Sequence, residues 1–163
     1  MLSARYDQIQ EIVPDEIRAE VRKFWEFFSR KSKTQFAEMY LPSATVFAAD
    51  ARRMELARLM LIRRGRELFG PASSVAARLG PIDVQLLRAD LAIASYPFHF
   101  WITRTFANGK RNQAEVPWSR ATQVFQRDDK GILRIIHEHM STGKPVSWKE
   151  LPTTNPVGSD QKP

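Results

Sequence analysis

The chain has 163 residues, 43% hydrophobic and 26% charged, with a net charge of +7. That length and balance suit one globular domain with a full core, and no run approaches the roughly 18 apolar residues a membrane helix needs. The absence of cysteine excludes disulfides, thiol catalysis and cysteine-ligated zinc, and the first ten residues lack the segments of a signal peptide, so a cytoplasmic location is expected.

Residues 1–14 read as a partly ordered arm in which Tyr6, Ile9, Ile12 and Val13 could dock a short segment. Pro14 is punctuation, Asp15 a helix cap, and Glu16 favours the dipole of the first turn. Ile17, Val21, Phe24, Trp25 and Phe28 then recur at three- and four-residue spacing, which predicts an amphipathic helix ending near Ser32. A short helix from Thr34 to Tyr40 follows, stopped by Leu41-Pro42. Ser43 to Ala49 predicts a strand.

Arg52 to Phe69 is built of good helix formers and ends at Gly70-Pro71. Leu56, Leu59, Met60, Ile62 and Leu68 suggest a largely buried face. Arg52, Arg53, Arg58, Arg63, Arg64 and Arg66 are the densest basic group, which raises nucleic acid as a partner. No basic tail, zinc-finger spacing or RNA-binding aromatic motif accompanies it, so nucleic acid is not the expected partner. The arginines read as a solvated or partner-facing set, with anionic small ligands as the remaining alternative.

From Ser73 onward the pattern is all strand. Ser73–Leu79 and Ile82–Leu87 flank Gly80-Pro81. Leu91–Phe106 is the longest candidate, and its Pro97 implies an edge position or a bulge. Asn108-Gly109 predicts a hairpin, with Arg111–Arg127 returning alongside. Asp128-Asp129-Lys130-Gly131 predicts a second tight turn, and the last strand follows from Ile132. After Ser141 the composition shifts to Gly, Pro, Ser, Thr and Lys, so residues 143–163 read as a mostly disordered tail. Helices followed by an antiparallel meander give an α+β order: a curved sheet, helices across one face, and a pocket between the layers.

Arg120 to Ser141 carries R-A-T-x-V-F-x-R-x-D-x-G-x-x-R-I-x-H-E-H-x-S. This pattern resembles the C-terminal signature of the SnoaL-like branch of the nuclear transport factor 2-like superfamily. The aromatic first helix, the short second helix and the strand at Thr45-Val46-Phe47 agree with it, so the resemblance covers residues 15–142. It implies a cone-shaped, curved antiparallel sheet with N-terminal helices on its concave face. It decides little about chemistry, because such folds host isomerases, cyclases, dehydratases, hydrolases and non-catalytic association domains. Two departures weaken any transfer of activity. Leu133 stands where a tryptophan is usual, and the Tyr-plus-two-Asp set of steroid isomerases has no counterpart on these strands.

The last strand breaks its apolar run at His137-Glu138-His139. Strict alternation places Ile136, Glu138 and Met140 on one face, and Leu133, Ile135, His137, His139 and Ser141 on the other. In the related kinase association domain, the positions matching Gln123 and Met140 look into the cavity. The resemblance therefore implies that Glu138, Gln123 and Met140 line the pocket, while His137 and His139 face a partner subunit.

A carboxylate among Phe, Ile and Met would be poised for general acid or base work. The plainer reading is a structural ion pair with Arg104 or Arg120. His99, in the aromatic run from Tyr96 to Trp101, could share a proton with Glu138 or sit satisfied in the core. Trp25, Tyr40, Phe47, Trp101 and Trp118 suit either plain packing or the walls of a site for a flat or aromatic ligand. His137 and His139 alone give two of the ligands zinc would need, so no metal and no cofactor is expected. Two functions remain open. One is a small-molecule-binding domain catalysing cofactor-independent proton transfer of the isomerase, cyclase or dehydratase type. The other is a non-catalytic oligomerisation or ligand-sensing module, with a homodimer expected through the outer sheet face.

Overall fold

The computed structural model describes residues 10–48, 51–70 and 73–142; the expected arm up to residue 9 and the expected tail after residue 142 lie outside the described residues. Helix α1 (Pro14–Ser29) and α2 (Lys33–Glu38) come first, then β1 (Tyr40–Phe47), β2 (Glu55–Leu56) and α3 (Ala57–Phe69). The chain continues through β3 (Ser73–Leu79), β4 (Asp83–Arg88), β5 (Leu91–Thr105), β6 (Arg111–Arg127) and β7 (Leu133–Thr142). No described helix is long and apolar enough to cross a membrane.

Pro14 occupies the first helical position of α1, where a missing N–H costs nothing and its fixed φ suits the helix. Val13, and not Asp15, is therefore the cap residue, and its N–H donates to Glu16 Oε2 at 3.0 Å. Arg127 Nη2 donates to the same carboxylate oxygen at 3.0 Å and ties α1 to the end of β6. At its other end α1 closes with Lys31 at φ 58, the Lys31 N–H donating to Phe28 O and the Ser32 N–H to Phe27 O. That is a Schellman closure with lysine where glycine is usual. The arm's last residues are docked: Ile12 is buried and its N–H donates to Ala89 O at 2.8 Å.

The seven strands form one curved sheet in the order β2-β1-β7-β6-β5-β3, with β4 also paired to β5. Every pairing is antiparallel except β1 with β7, which is parallel and sets Tyr40 opposite Ile135 and Val46 opposite Glu138. The seam follows from Tyr40 being the first residue of β1 and not the last of α2. Both short turns have the expected glycine at positive φ, Gly109 and Gly131 at 77° each.

Pro97 is not on an edge. β5 is so long that β3 pairs with Phe98–Arg104 and β4 with Leu91–Ser95, and Pro97 falls between the two partners. A residue without an N–H is tolerated at that gap, and its carbonyl accepts the Gly80 N–H at 2.8 Å.

The core lies between the concave sheet face and the helices. Ile17, Val21, Phe24, Trp25 and Phe28 of α1 and Phe36 of α2 meet Val46, Tyr96, Phe98, Phe125, Leu133 and Ile135. Ala92, Ala94 and Ala121 keep the floor of the sheet shallow enough for these rings to seat. Each fully buried large side chain contributes about 1.5–3 kcal/mol, so this stripe dominates the stability of the fold.

The buried face of α3 agrees with the expected one at Met60 and differs from it at Leu59 and Ile62. Ala57, Met60 and Leu61 point inward, whereas Leu59 and Ile62 are 49% and 75% exposed. The helix also starts five residues later than composition suggests, because Glu55 and Leu56 pair with Val46 and Thr45.

Candidate functional site

Glu138 is 2% exposed and sits on the concave side of β7. Alternation alone would not have put it beside Leu133 and Ile135. Phe125 pairs with Ile135 and Val124 with His137, so Ile136 is an extra residue on β7. This bulge resets the parity: Leu133, Ile135 and Glu138 share the buried side, and the expected grouping of Leu133 and Ile135 with the histidines is corrected.

Around Glu138 a single directed row of hydrogen bonds runs through the core. Trp25 Nε1 donates to Tyr96 Oη at 3.0 Å, and Tyr96 Oη donates to Gln123 Oε1 at 3.0 Å. Gln123 Nε2 donates to Glu138 Oε2 at 2.7 Å. From the other side, Tyr40 Oη donates to Glu138 Oε1 at 3.1 Å. The row uses one helix, α1, and strands β1, β5, β6 and β7. Every donor in it points toward the carboxylate, the one member that is acceptor-only when ionised.

The electrostatics follow from this arrangement. Burial pushes the Glu138 carboxyl up to about 7, while the donations from Gln123 and Tyr40 pull the other way by favouring the ionised form. Burial also raises Tyr40 and Tyr96 well above the ordinary phenol value, and the Glu138 charge raises both further. Both phenols therefore remain protonated donors near neutral pH. No guanidinium bonds Glu138 among the described residues, so its partners are an amide and a phenol and not the arginine of a structural ion pair.

Of the residues read from sequence as site candidates, the fold gathers Trp25, Tyr40, Gln123 and Glu138 in one connected row. Met140, opposite Ala121 on the same side of the sheet, packs half-buried against the core. Tyr96 belongs to the row and was not singled out. Its signal was its two-residue spacing from Ala94 and Phe98, the apolar inward set of β5.

The other candidates lie on the opposite face. His99 alternates with buried Phe98 and stacks on Trp101 at 4.2 Å and on Trp118 at 5.6 Å between ring centroids. Its Nε2 lies 2.6 Å from Glu115 Oε1, an ion-pair approach without the alignment of a ring N–H hydrogen bond. The expected proton sharing between His99 and Glu138 is thus corrected, since a strand of pleat separates them. Phe47 likewise leaves the pocket walls and stacks on His139 at 5.5 Å. His137 Nδ1 is 2.8 Å from Thr45 Oγ1, and Trp118 is 39% exposed.

A curved sheet with helices laid into its concave face is the cone fold of nuclear transport factor 2-like proteins, and the chain has that fold. No family model matches the sequence, and comparison with curated proteins finds no match. Among solved structures, the chain is similar to a nuclear transport factor 2-like superfamily protein from Salmonella enterica serovar Typhimurium, with a TM-score of 0.65, 18% identity, and coverage of 83% of this chain and 94% of that one. It is similar to the association domain of calcium/calmodulin-dependent kinase II from C. elegans, with a TM-score of 0.57 and 18% identity over 78% of this chain and 94% of that one. A candidate scytalone dehydratase from Novosphingobium aromaticivorans gives a TM-score of 0.65 and 13% identity over 79% and 85% of the two chains. These likenesses establish the fold.

Proposed function

We propose that the chain binds a small hydrophobic or aromatic carbonyl compound inside the cone and moves a proton on it, with Glu138 as the base and acid. The observation that carries this reading is a buried carboxyl held at about 7 between two neutral donors. A group with that affinity is divided between its two protonation states near neutral pH, which suits abstraction and return of a proton from carbon. Glu138 would take the proton from the carbon next to the carbonyl and give it back at the same or a neighbouring atom. Tyr40, kept protonated, is the donor available to the enolate oxygen that forms. Gln123 is a positioning residue that holds the second carboxylate oxygen, and Tyr96 and Trp25 orient Gln123. Trp25, Phe24 and Phe36 pack around this end of the cone, so a ligand must displace aromatic side chains to touch Glu138.

The test begins with a thermal-shift screen of hydrophobic acids, ketones and steroids, because a ligand of the folded state raises its melting temperature. Ketones that do so are then incubated with the protein in heavy water, and exchange of their α-protons is followed by NMR. Exchange in the wild type that disappears in Glu138→Gln supports the role. Exchange at the same rate in the variant removes it.

A second reading, a non-catalytic oligomerisation or sensing module, is supported by the outer-face cluster of His99, Trp101 and half-exposed Trp118. An aromatic patch on a sheet face suits a second copy of the chain. Sizing by light scattering tests it: a dimer that dissociates in Trp118→Ser supports this face as the interface, and a monomer at all concentrations counts against it.

A further inference from the structure

We infer that the groove between α3 and the β2 edge of the sheet is a second binding site, for a small anionic amphiphile with a carboxylate or phosphate head on a short apolar body. The groove encloses about 810 Å³ and is lined by Arg52, Arg53, Met54, Leu56, Leu59 and Arg63, with Ala51 and Glu55 completing it. Two features set it apart from an ordinary solvated surface. Two of its apolar members are uncovered: Met54, just before β2, is 55% exposed, and Leu59, on α3, is 49% exposed. Three arginines line it against one carboxylate, Glu55, and that carboxylate is already bonded by Arg63 Nη2. Arg52 and Arg53 have no acidic partner among the described residues. A chain that gathers guanidiniums around exposed Leu and Met complements a ligand with one charged end and one greasy end.

Size and shape select among anionic partners. A groove of this volume falls in the range of small-ligand sites, roughly 300–1,000 Å³, and is concave, whereas a membrane surface calls for a protruding patch. Nucleic acid calls for a longer basic track than this groove supplies. The guanidinium fork suits the planar or tetrahedral oxygens of carboxylate and phosphate equally, so the head group is defined by its charge and oxygens. The site is distinct from the interior row. β2 pairs with β1, and Val46 of β1 lies opposite Glu138, so the groove edge is two strands away from that carboxylate, about 10 Å.

The experiment uses the whole chain and calorimetric titration at low salt with decanoate, decyl phosphate and neutral decanol, all below their micelle concentrations. Either or both anions bind, and do so about tenfold or more tighter than decanol, with an affinity that falls as salt is added. The double variant Arg52→Gln/Arg53→Gln loses about tenfold or more in that affinity, as does Arg63→Gln separately, at unchanged melting temperature. Glu138→Gln leaves it unchanged. Equal binding of decanol, or binding that ignores the arginine variants but falls in Glu138→Gln, places the probe in the cone interior and overturns the inference. Absence of binding overturns it too. So does association with anionic phospholipid vesicles without binding of the monomeric amphiphiles.

Discussion

Gln123 on β6 and Glu138 on β7 stand directly opposite each other, and the amide donates to the carboxylate at 2.7 Å in a region that water does not reach. Gln123 also accepts from Tyr96, so it spends one end on each neighbour. Gln123→Leu fills similar space and offers neither. It strands a carboxylate oxygen and a phenol hydroxyl in the core, which costs about 2–4 kcal/mol of stability by denaturant unfolding. Removing a donation that favours the ionised form also moves the Glu138 carboxyl above about 7. A variant with unchanged stability and an unmoved titration, followed by carbon-13 NMR of the carboxyl, would show that the amide does not hold Glu138.

The raised carboxyl makes stability depend on pH with a definite sign. Glu138 titrates near its ordinary value of 4.5 when the chain is unfolded and at about 7 when folded. Below 4.5 both states hold the proton and the contribution is complete. Between 4.5 and 7 the folded state keeps a proton the unfolded state has lost, so stability falls as pH rises. At roughly 1.4 kcal/mol per pH unit the total is about 3 kcal/mol, spent by the time the pH passes 7. Glu138→Gln is neutral at every pH and removes this component. The stability of wild type minus variant therefore declines by about that amount across the window, and parallel curves would refute the assignment.

The bulge at Ile136 yields a parity test. Deleting Ile136 alone turns β7 into a regular strand on which Leu133, Ile135 and Glu138 still share the inner side. That variant folds, keeps the pH dependence of Glu138, and loses about 1–2 kcal/mol through the missing side chain and altered twist. Deleting Ile136 and His137 together turns Glu138 outward instead. The double deletion loses cooperative unfolding or loses the pH dependence. Equal behaviour of the two deletions, measured by thermal melts from pH 4 to 8, would contradict the register.

The parts of the molecule legible in the sequence are those governed by local rules. The spacing of Ile17, Val21, Phe24, Trp25 and Phe28 made α1 readable, and the two turn glycines made both hairpins readable. The α+β cone itself followed from element order and the hairpin signature. What escaped was set by nonlocal pairing. An extra residue at Ile136 is invisible without the partner strand, and it decides which of Leu133, Ile135 and Glu138 share a face. Phe47, His99, Trp101 and Trp118 have the composition of a pocket wall, yet the pleat turns them to the other side. Tyr96 joins the polar row only because β5 lies between β6 and the β3–β4 pair, and Leu59 and Ile62 are exposed because α3 turns Ala57, Met60 and Leu61 to the core instead.

Gly80 and Pro97 form the joint at which β3 hands β5 over to β4. A methyl added at Gly80 would meet Pro97 Cγ at 2.4 Å, and the ring carbon Cδ lies at 3.2 Å. Neither side can yield easily. The Gly80 N–H is bonded to Pro97 O, and Pro97 is held in register with Arg120 on β6. Gly80→Ala therefore costs about 1–3 kcal/mol by overpacking, without touching the polar row. Pro97→Ala removes the offending ring atoms and leaves only the Cβ, at 3.5 Å, in ordinary contact. The double variant should recover most of the loss, with a coupling energy of about 1 kcal/mol or more in a double-mutant cycle. Additive losses would mean that the methyl is accommodated elsewhere and that the joint is looser than its contacts imply.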